Sequence, residues 1–278
     1  MSSPIISVVC SVKNGENTIG LTIESIINQS FKDWEFIIVD DGSTDNTSLI
    51  INEYAKKDMR IKFIKTDGVG RGNALNLAIK NSKGYYIANI DADDPSHPQR
   101  LEFQYLALKK NKEFSLVSTN YSLISGDEEP FWENIDCTSI DNIKVIDITH
   151  NLIRNNPINH SSILVKKKDL ENVGLYDVDR QCLFDYDLWI RLAQHSYRLG
   201  YINQKLSTKR FHKNQSFENK KRLNYLQESL KLQKRAIINL NGNVLDFLFA
   251  YGRFVYGLLP QNVRKLLKTV WSRDGVLW

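Results

Sequence analysis

Along the N-terminal third of the chain, short apolar runs alternate with longer stretches of helical spacing. The runs are Ile5–Ser11 (IISVVCS), Trp34–Val39 (WEFIIV), Ile61–Lys65 and the start of Tyr85–Asp94 (YYIANIDADD). Near-continuous apolar runs of this length predict strands buried on both faces, as in a parallel sheet. Between them, Thr18–Gln29 puts Ile19, Ile23, Ile26 and Ile27 on one helical face. Thr47–Tyr54, led in by the capping cluster Ser43, Thr44 and Asp45, and Asn73–Asn81 predict two more helices. The order β-α-β-α-β-α-β predicts a parallel sheet with right-handed crossovers. All four strands then end at one edge, where open α/β sheets bind ligands.

What the sequence delivers to that edge is polar and acidic. Ser11 ends the first run, and the loop Lys13–Asn17 follows it. The second run continues into Asp40-Asp41-Gly42-Ser43-Thr44-Asp45, and the fourth into Asp91, Asp93 and Asp94. Carboxylates are costly inside a sheet, so these strands should stop where the acids begin. Asp91 and Asp93, one residue apart, repel each other unless a cation lies between them. A hard divalent ion with oxygen ligands, Mn²⁺ or Mg²⁺, removes the repulsion and can carry a diphosphate. The plainer reading is an Asp-rich turn closed by Pro95. A calcium loop is set aside: Glu102 would fall at its twelfth position, but Ser96 replaces the required Gly, and Pro95 and Pro98 lie inside it. Gly68, Gly70 and Gly72 around Arg71 lack the spacing of a dinucleotide fingerprint.

The pattern weakens from Val117 to Asn156, where a β-hairpin or two short strands are expected, with an acidic loop Asp127–Glu129 and the aromatics Phe131 and Trp132. Lys220–Leu240 reads as a basic amphipathic helix. Val244–Leu259 is rich in Leu, Phe, Tyr and Val but is interrupted by Asp246 and Arg253. After Pro260, the residues Val263, Leu266, Leu267, Val270 and Trp271 share one helical face, with Arg264, Lys265 and Lys268 elsewhere. That pattern fits a helix in a membrane interface, or one packed on the α/β body or on a second subunit.

Composition adds bounds. The 278 residues suit one large α/β domain, or a domain plus a tail, and 42% hydrophobic with 25% charged residues is globular. Cys10, Cys137 and Cys182 are too few for a disulfide framework, which points to a reducing compartment. The N-terminal apolar run is short and has no basic segment before it, so no signal peptide is expected. No apolar stretch reaches the roughly 18–20 residues of a spanning helix. Residues 201–278 hold 15 Lys and Arg against 4 acids, while residues 1–200 hold 22 against 28. An acidic body with a basic tail implies metal and substrate in the body and an anionic surface for the tail.

Three segments together carry a family resemblance: SVVCSVKNGENTIGLTIESIINQSF, EFIIVDDGSTDNT and GRGNALNLAIKNSKGYYIANIDADDPSHPQRL. They resemble the N-terminal half of family 2 glycosyltransferases with a GT-A fold, over roughly residues 5–105 and again over 157–216. The resemblance implies an α/β GT-A fold: a Rossmann-like, mostly parallel central sheet flanked by helices, with a helical C-terminal extension. It divides the chain into a catalytic domain, 1–216, and a basic extension, 217–278. Within the catalytic domain, residues 1–115 would bind the nucleotide sugar and 116–216 the acceptor.

The resemblance also implies roles. Ser11 and Asn14 belong to a loop around the base, and Asp41 accepts from a ring N–H. Arg71 lies near the nucleotide or its phosphates. Asp91 meets the ribose or a metal-bound water, and Asp93 holds the metal. Two departures stand out. The family's Pro-x-Tyr-Asn is here Ser11-Val12-Lys13-Asn14, which lacks the stacking Tyr; its A-R-N is Ala74-Leu75-Asn76, leaving Arg71 as the compensating cation. Asn156–Val165 resembles the segment that re-enters the sheet beside the donor, with His160 read as structural rather than as a substrate contact. Phe184–Leu192 (FDYDLWIRL) resembles the family's E-D-Y-D-L-W-L-R-L. It aligns Asp185 with the catalytic base, leaves Phe184 in place of Glu, and gives Asp187 a capping or supporting role. Lys209–Ser216 resembles the Y-R-x-H-x-x-x-x-S loop, with His212 as a third metal ligand or, with Arg210, a diphosphate contact.

The expected activity is inverting, metal-dependent transfer from a nucleotide-diphosphate sugar, a UDP-sugar foremost, to a hydroxyl of a glycan or lipid-linked oligosaccharide. The expected setting is cytoplasmic, on the inner face of the cell membrane, held to an anionic surface by the C-terminal helices. No nucleic-acid partner is expected, and a homo-oligomer is left open. The alternatives are a sugar-1-phosphate nucleotidyltransferase, which should carry a Gly-rich cationic loop where Ser11–Gly15 stands, and a non-enzymatic binder of nucleotides or anionic lipid.

Overall fold

The computed structural model describes residues 3–126, 128, 130–132, 135, 143–180, 182–211 and 222–264. Its first half follows the apolar pattern. Strands β1 (Ile6–Val12), β2 (Trp34–Asp41), β3 (Ile61–Thr66) and β4 (Tyr86–Asn89) alternate with helices α1 (Ile19–Ile27), α2 (Thr47–Lys57) and α3 (Arg71–Lys80). β1 pairs in parallel with both β2 and β4, and β2 with β3. Then follow α4 (Arg100–Lys110), β5 (Phe114–Ser125), β6 (Ile146–Asp147), β7 (Ile163–Lys166), α5 (Lys167–Asn172), α6 (Phe184–Gln194), β8 (Arg198–Phe211), α7 (Arg222–Asn239) and α8 (Val244–Leu258). The sheet order is β3-β2-β1-β4-β7-β5-β8-β6. β7 runs antiparallel to both β4 and β5, whereas β5 and β8 are parallel.

Side chains alternate across the sheet with period two and fill a core on each face. On one face Val9, Ile37 and Val39 pack with Leu75 and Ile79 of α3, Leu188 and Trp189 of α6 and Leu232 of α7. On the other, Val8, Cys10, Phe36 and Ile38 pack with Ile23 of α1, Ile51 of α2 and Leu101 of α4. The C-terminal helices are thus anchored on the catalytic body through α7 and α6.

Two sequence expectations are corrected. Of the hairpin or two short strands expected after Val117, the described residues show the 12-residue β5 and the two-residue β6, which pairs with β8 rather than with β5. Lys209 and Arg210, read as part of a loop, lie in the 14-residue strand β8, with Arg210 opposite Ile124. His212 lies outside the described residues, as do Asp127, Glu129, Cys137 and everything beyond Arg264.

One buried ionic knot holds the opposite edge of the sheet. Glu35 on β2 accepts from Ser7 Oγ at 2.7 Å, from the backbone N of Lys83 at 2.5 Å, and from Lys62 on β3. Ser7 in turn accepts from Gly84 N at 2.8 Å, at an approach so close that a Cβ on residue 84 would meet Ser7 N at 2.5 Å. Burial opposes the charge on Glu35, but Lys62, Ser7 and the Lys83 amide hold its carboxyl below the usual value. A depressed carboxyl contributes stability that is present above its unfolded pKa, about 4.3, and is lost as pH falls through the folded value. Glu35→Gln should therefore lower stability at neutral pH and flatten its decline below about pH 4 in thermal melts. An unchanged acid limb would contradict this reading.

Candidate active site

The strand register brings the acidic segments together. Ser11 lies opposite Val39, Val12 opposite Asp40, and Val9 opposite Asn89, so Ser11, Asp40 and Asp91 reach the same sheet edge. There the first two loops are laced to each other. Asn14, in a left-handed conformation (φ 55°), donates its N–H to Ser43 Oγ at 2.8 Å and accepts from Thr44 N at 2.9 Å. Gly15 N donates to Thr47 Oγ1 at 2.8 Å.

Of the two acids ending β2, Asp40 is wholly buried and accepts from Ser43 N at 2.8 Å and from Ser48. Asp41 reaches toward the glycine loop. It accepts from Thr66 Oγ1 at 2.8 Å, Val69 N at 2.7 Å and Gly70 N at 2.9 Å. Gly42 (φ 79°) lets the two loops touch: a Cβ there would meet Gly68 N at 2.9 Å. A carboxylate has about four acceptor sites, so Asp41 retains one beyond these three. Its evident work is to hold the loop that starts α3 and presents Arg71.

Arg71 is the cation of the cleft. Its guanidinium donates to Asp91 Oδ1 at 2.5 Å and sits 5.5 Å from the centre of the Phe184 ring. Asp91, and more weakly Asp185, push Arg71 further up. Burial alone would raise the Asp91 carboxyl, yet Arg71 and His160 hold it well below the usual carboxylate range. His160 Nδ1 is 3.6 Å from Asp91 Oδ1 and 3.1 Å from Asn89 Nδ2. Its Nε2 lies 2.8 Å from the Tyr176 hydroxyl. His160 is buried among Tyr176, Phe184 and Trp189, which fits a supporting role.

Beneath the D-x-D turn lies Arg100, fully buried and, among the described residues, held by neutral acceptors. It donates to the carbonyls of Asn89 (2.7 Å) and Ile163 (3.1 Å), to Ser96 Oγ (2.8 Å) and to Gln104 Oε1 (3.1 Å). Burial brings Arg100 down to about 9, opposed by Asp91 and Asp94. Asp94 is pushed up to about 7, by burial first and then by Asp91 and Asp93, although Arg210 N and Ser161 Oγ each donate to it at 2.8 Å. Asp91, Asp93 and Asp94 thus crowd one turn, with Arg71, Arg100 and Arg210 around it.

Arg210 is buried behind this turn. It donates to the carbonyls of Asp93 (3.1 Å) and Glu128 (3.1 Å) and to that of Gly126. It also lines an open cavity of about 380 Å³ with Asn17, Thr18 and Leu21. Its visible function is to brace Asp93 and Asp94 from β8.

Asp185 stands in the first turn of α6, two residues beyond Leu183, whose left-handed backbone (φ 57°) starts the helix. It is not the cap. Asn156 Nδ2 donates to its Oδ2 at 2.8 Å, and Asn156 is itself fixed by accepting from Ile158 N at 3.2 Å. Asp185 lies near enough to Arg71, Tyr176 and Tyr225 of α7 to perturb all three. Asp187 does different work. It is 2% exposed and ion-paired to Arg191 (2.8 Å), Arg235 of α7 (2.8 Å) and Arg180 (3.7 Å).

The structure thus sets Arg71 against Asp91 and within electrostatic reach of Asp185, and puts Asp93 and Arg210 at the acidic turn. Sequence reading missed Asn156, Tyr176 and Arg100, and saw Phe184 only as a departure, although its ring packs against Arg71. Among the described residues, no group of three or more His, Cys, Asp and Glu is ready to hold a metal by itself. Two carboxylates with diphosphate and water oxygens would suit Mg²⁺ or Mn²⁺, which seldom take an all-protein cage.

Comparison with known proteins agrees with this architecture. An uncharacterised glycosyltransferase of Methanocaldococcus jannaschii is 32% identical over 276 residues, 96% of this chain and 93% of that protein. The structure of S. aureus TarS 1-349 in complex with UDP-GlcNAc matches with TM-score 0.67 at 16% identity, over 91% of this chain and 72% of that one. The mannosyltransferase PcManGT of Pyrobaculum calidifontis, in complex with GDP-Man and Mn²⁺, matches with TM-score 0.63 at 16% identity, over 99% of this chain and 82% of that one. These neighbours share the GT-A architecture. The model of glycosyl transferase family 2 matches residues 7–170, more than half of the sequence. The chain is a glycosyltransferase and belongs to glycosyl transferase family 2.

Proposed function

We propose that the chain transfers a sugar, with inversion, from a nucleoside-diphosphate sugar, a UDP-sugar foremost, to a hydroxyl of a glycan or lipid-linked glycan. One observation carries this: Arg71 bonds to Asp91 and feels Asp185, so donor-phosphate chemistry and a candidate base share one cleft. The bound nucleotide sugars of the structural neighbours, UDP-GlcNAc and GDP-Man, support a donor of this class.

In this reading Ser11, Asn14 and the remaining acceptor site of Asp41 form the wall for base and ribose. Arg71 turns from Asp91 to the diphosphate as the donor enters. Asp91 and Asp93 would hold Mn²⁺ or Mg²⁺, which when bound offsets the charge of the diphosphate. His212 remains a proposed further ligand, and Arg210 acts by holding Asp93. Asn156 keeps Oδ2 of Asp185 engaged and directs Oδ1 at the acceptor hydroxyl. Asp185 takes that hydroxyl's proton as its oxygen attacks the anomeric carbon and the bond to the diphosphate breaks. A single displacement of this kind inverts the centre. A nucleotidyltransferase is disfavoured because Ser11–Gly15 is laced to the β2 loop and offers no Gly-rich cationic cradle.

A thermal-shift screen of UDP-, GDP- and dTDP-sugars tests the reading. At 100-fold excess over Kd, a donor adds about 2.7 kcal/mol, an upward shift of several degrees. The shift should need Mn²⁺ or Mg²⁺, vanish with chelator, and shrink in Asp93→Asn. No metal-dependent shift with any nucleotide sugar would contradict it.

A further inference from the structure

The α7–α8 hairpin presents a face that the catalytic fold does not use. α8 turns Asp246, Ala250 and Gly257 inward. At about 100° per residue, Val244, Leu248, Tyr251, Val255 and Leu258 gather on its outer side. They are 74%, 63%, 45%, 57% and 49% exposed. The stripe runs about 20 Å along the helix. On α7, Leu223 and Ile238 are also 54% and 67% exposed. A helix face turned to water is normally polar, so a continuous apolar stripe marks an interaction surface.

Charge selects the occupant. Residues 222–264 carry six Lys and Arg against two acids, Glu228 and Asp246. Both acids are spent inside the fold. Glu228 pairs with Arg180 at 3.2 Å and Lys231 at 2.7 Å, and Asp246 pairs with Arg154 at 2.9 Å and closes the α8 capping box. The side chain of Lys231 is 72% exposed, and Lys234 Nζ lies 5.7 Å from the centre of the Tyr251 ring, at the rim of the stripe. Two copies joined through this face would bring two Lys234 side chains together, with no acid left unpaired between Arg222 and Arg264 to offset them. An anionic bilayer answers both features: headgroup phosphates take the lysines and the acyl boundary takes the stripe. No helix among the described residues is long and apolar enough to cross a membrane, so the hairpin would lie on the surface.

We propose that α8, flanked by the outer lysines of α7, docks the enzyme flat on an anionic lipid bilayer. This does not rest on the reading of the donor site. It also locates the contact on Val244–Leu258 rather than on the sequence after Pro260.

Co-sedimentation of the full chain with phosphatidylcholine vesicles, with and without phosphatidylglycerol, tests it. The wild type should pellet with the anionic vesicles, less with neutral ones, and be released by salt. Leu248→Glu/Val255→Glu should lower the bound fraction at least about tenfold without changing the melting temperature. Lys231→Gln/Lys234→Gln should weaken binding to anionic vesicles only. Three results would overturn the proposal: no binding by the wild type; undiminished binding by the Leu248/Val255 variant; or a concentration-dependent dimer of the wild type that this variant abolishes. Binding that appears only after removal of residues 265–278 would also overturn it, since the chain's own end would then be the occupant.

Discussion

Asp185→Asn is expected to lower kcat roughly 10²–10⁴-fold, the usual contribution of a positioned general base. Donor affinity should hold within a few-fold, because in the proposed arrangement the donor's charged groups would meet Arg71 and the D-x-D turn instead. Stability should also hold. Asp185 is not the N-cap of α6, and Asn can still accept from Asn156 through its carbonyl oxygen. The measurement is nucleoside diphosphate release under single-turnover conditions, with donor binding followed separately. A residue that merely decorated a helix start would leave turnover intact, and full turnover in this variant would remove Asp185 as the base.

Two residues on, Asp187→Ala is expected to do the reverse. Its carboxylate is 2% exposed and joins Arg180, Arg191 and Arg235, so its loss strands three cations around one buried site. Removing one partner of a buried ionic group typically costs about 3–5 kcal/mol. For a chain of this size that corresponds to a drop of roughly 10 °C in Tm. Any loss of activity should follow the unfolded fraction and recover on cooling. Because Arg235 belongs to α7, the C-terminal hairpin should loosen first, seen as faster amide exchange in Arg222–Asn239 than in the sheet. A Tm within a degree or two of wild type would contradict this account. The two variants together separate the chemical from the architectural half of one short motif.

The contrast also shows what the sequence made legible. Apolar runs located β1 to β4, and the acids after two of them marked the edge where Asp41, Asp91 and Asp93 lie; β2 nevertheless keeps Asp40 and Asp41 as its last, buried residues, because hydroxyl and backbone N–H groups satisfy them. What it hid was made by partners far apart in the chain. Arg100 looks like a surface charge until Asn89 and Ile163 offer it carbonyls, and Asn156 acquires a role only when α6 brings Asp185 to it. Asp187 and Arg191 show their helical spacing, but Arg235 joins them from 48 residues away. β8 escaped notice because its sequence RLGYINQKLSTKRF buries only Leu199, Ile202 and Leu206 among its large apolar residues, too weak an alternation to stand out. The loop reading of Arg210 failed with it.

The central claim is that the cleft between the D-x-D turn and the start of α6 is where a nucleotide sugar gives up its sugar. A structure of the protein with Mn²⁺ and a non-transferable UDP-sugar tests it most directly, with the metal located by anomalous scattering. The account predicts a metal peak at Asp93, diphosphate oxygens within reach of Arg71, and the anomeric carbon on the side of Asp185 Oδ1. A nucleotide bound elsewhere, or an anomeric carbon turned away from Asp185, would contradict it.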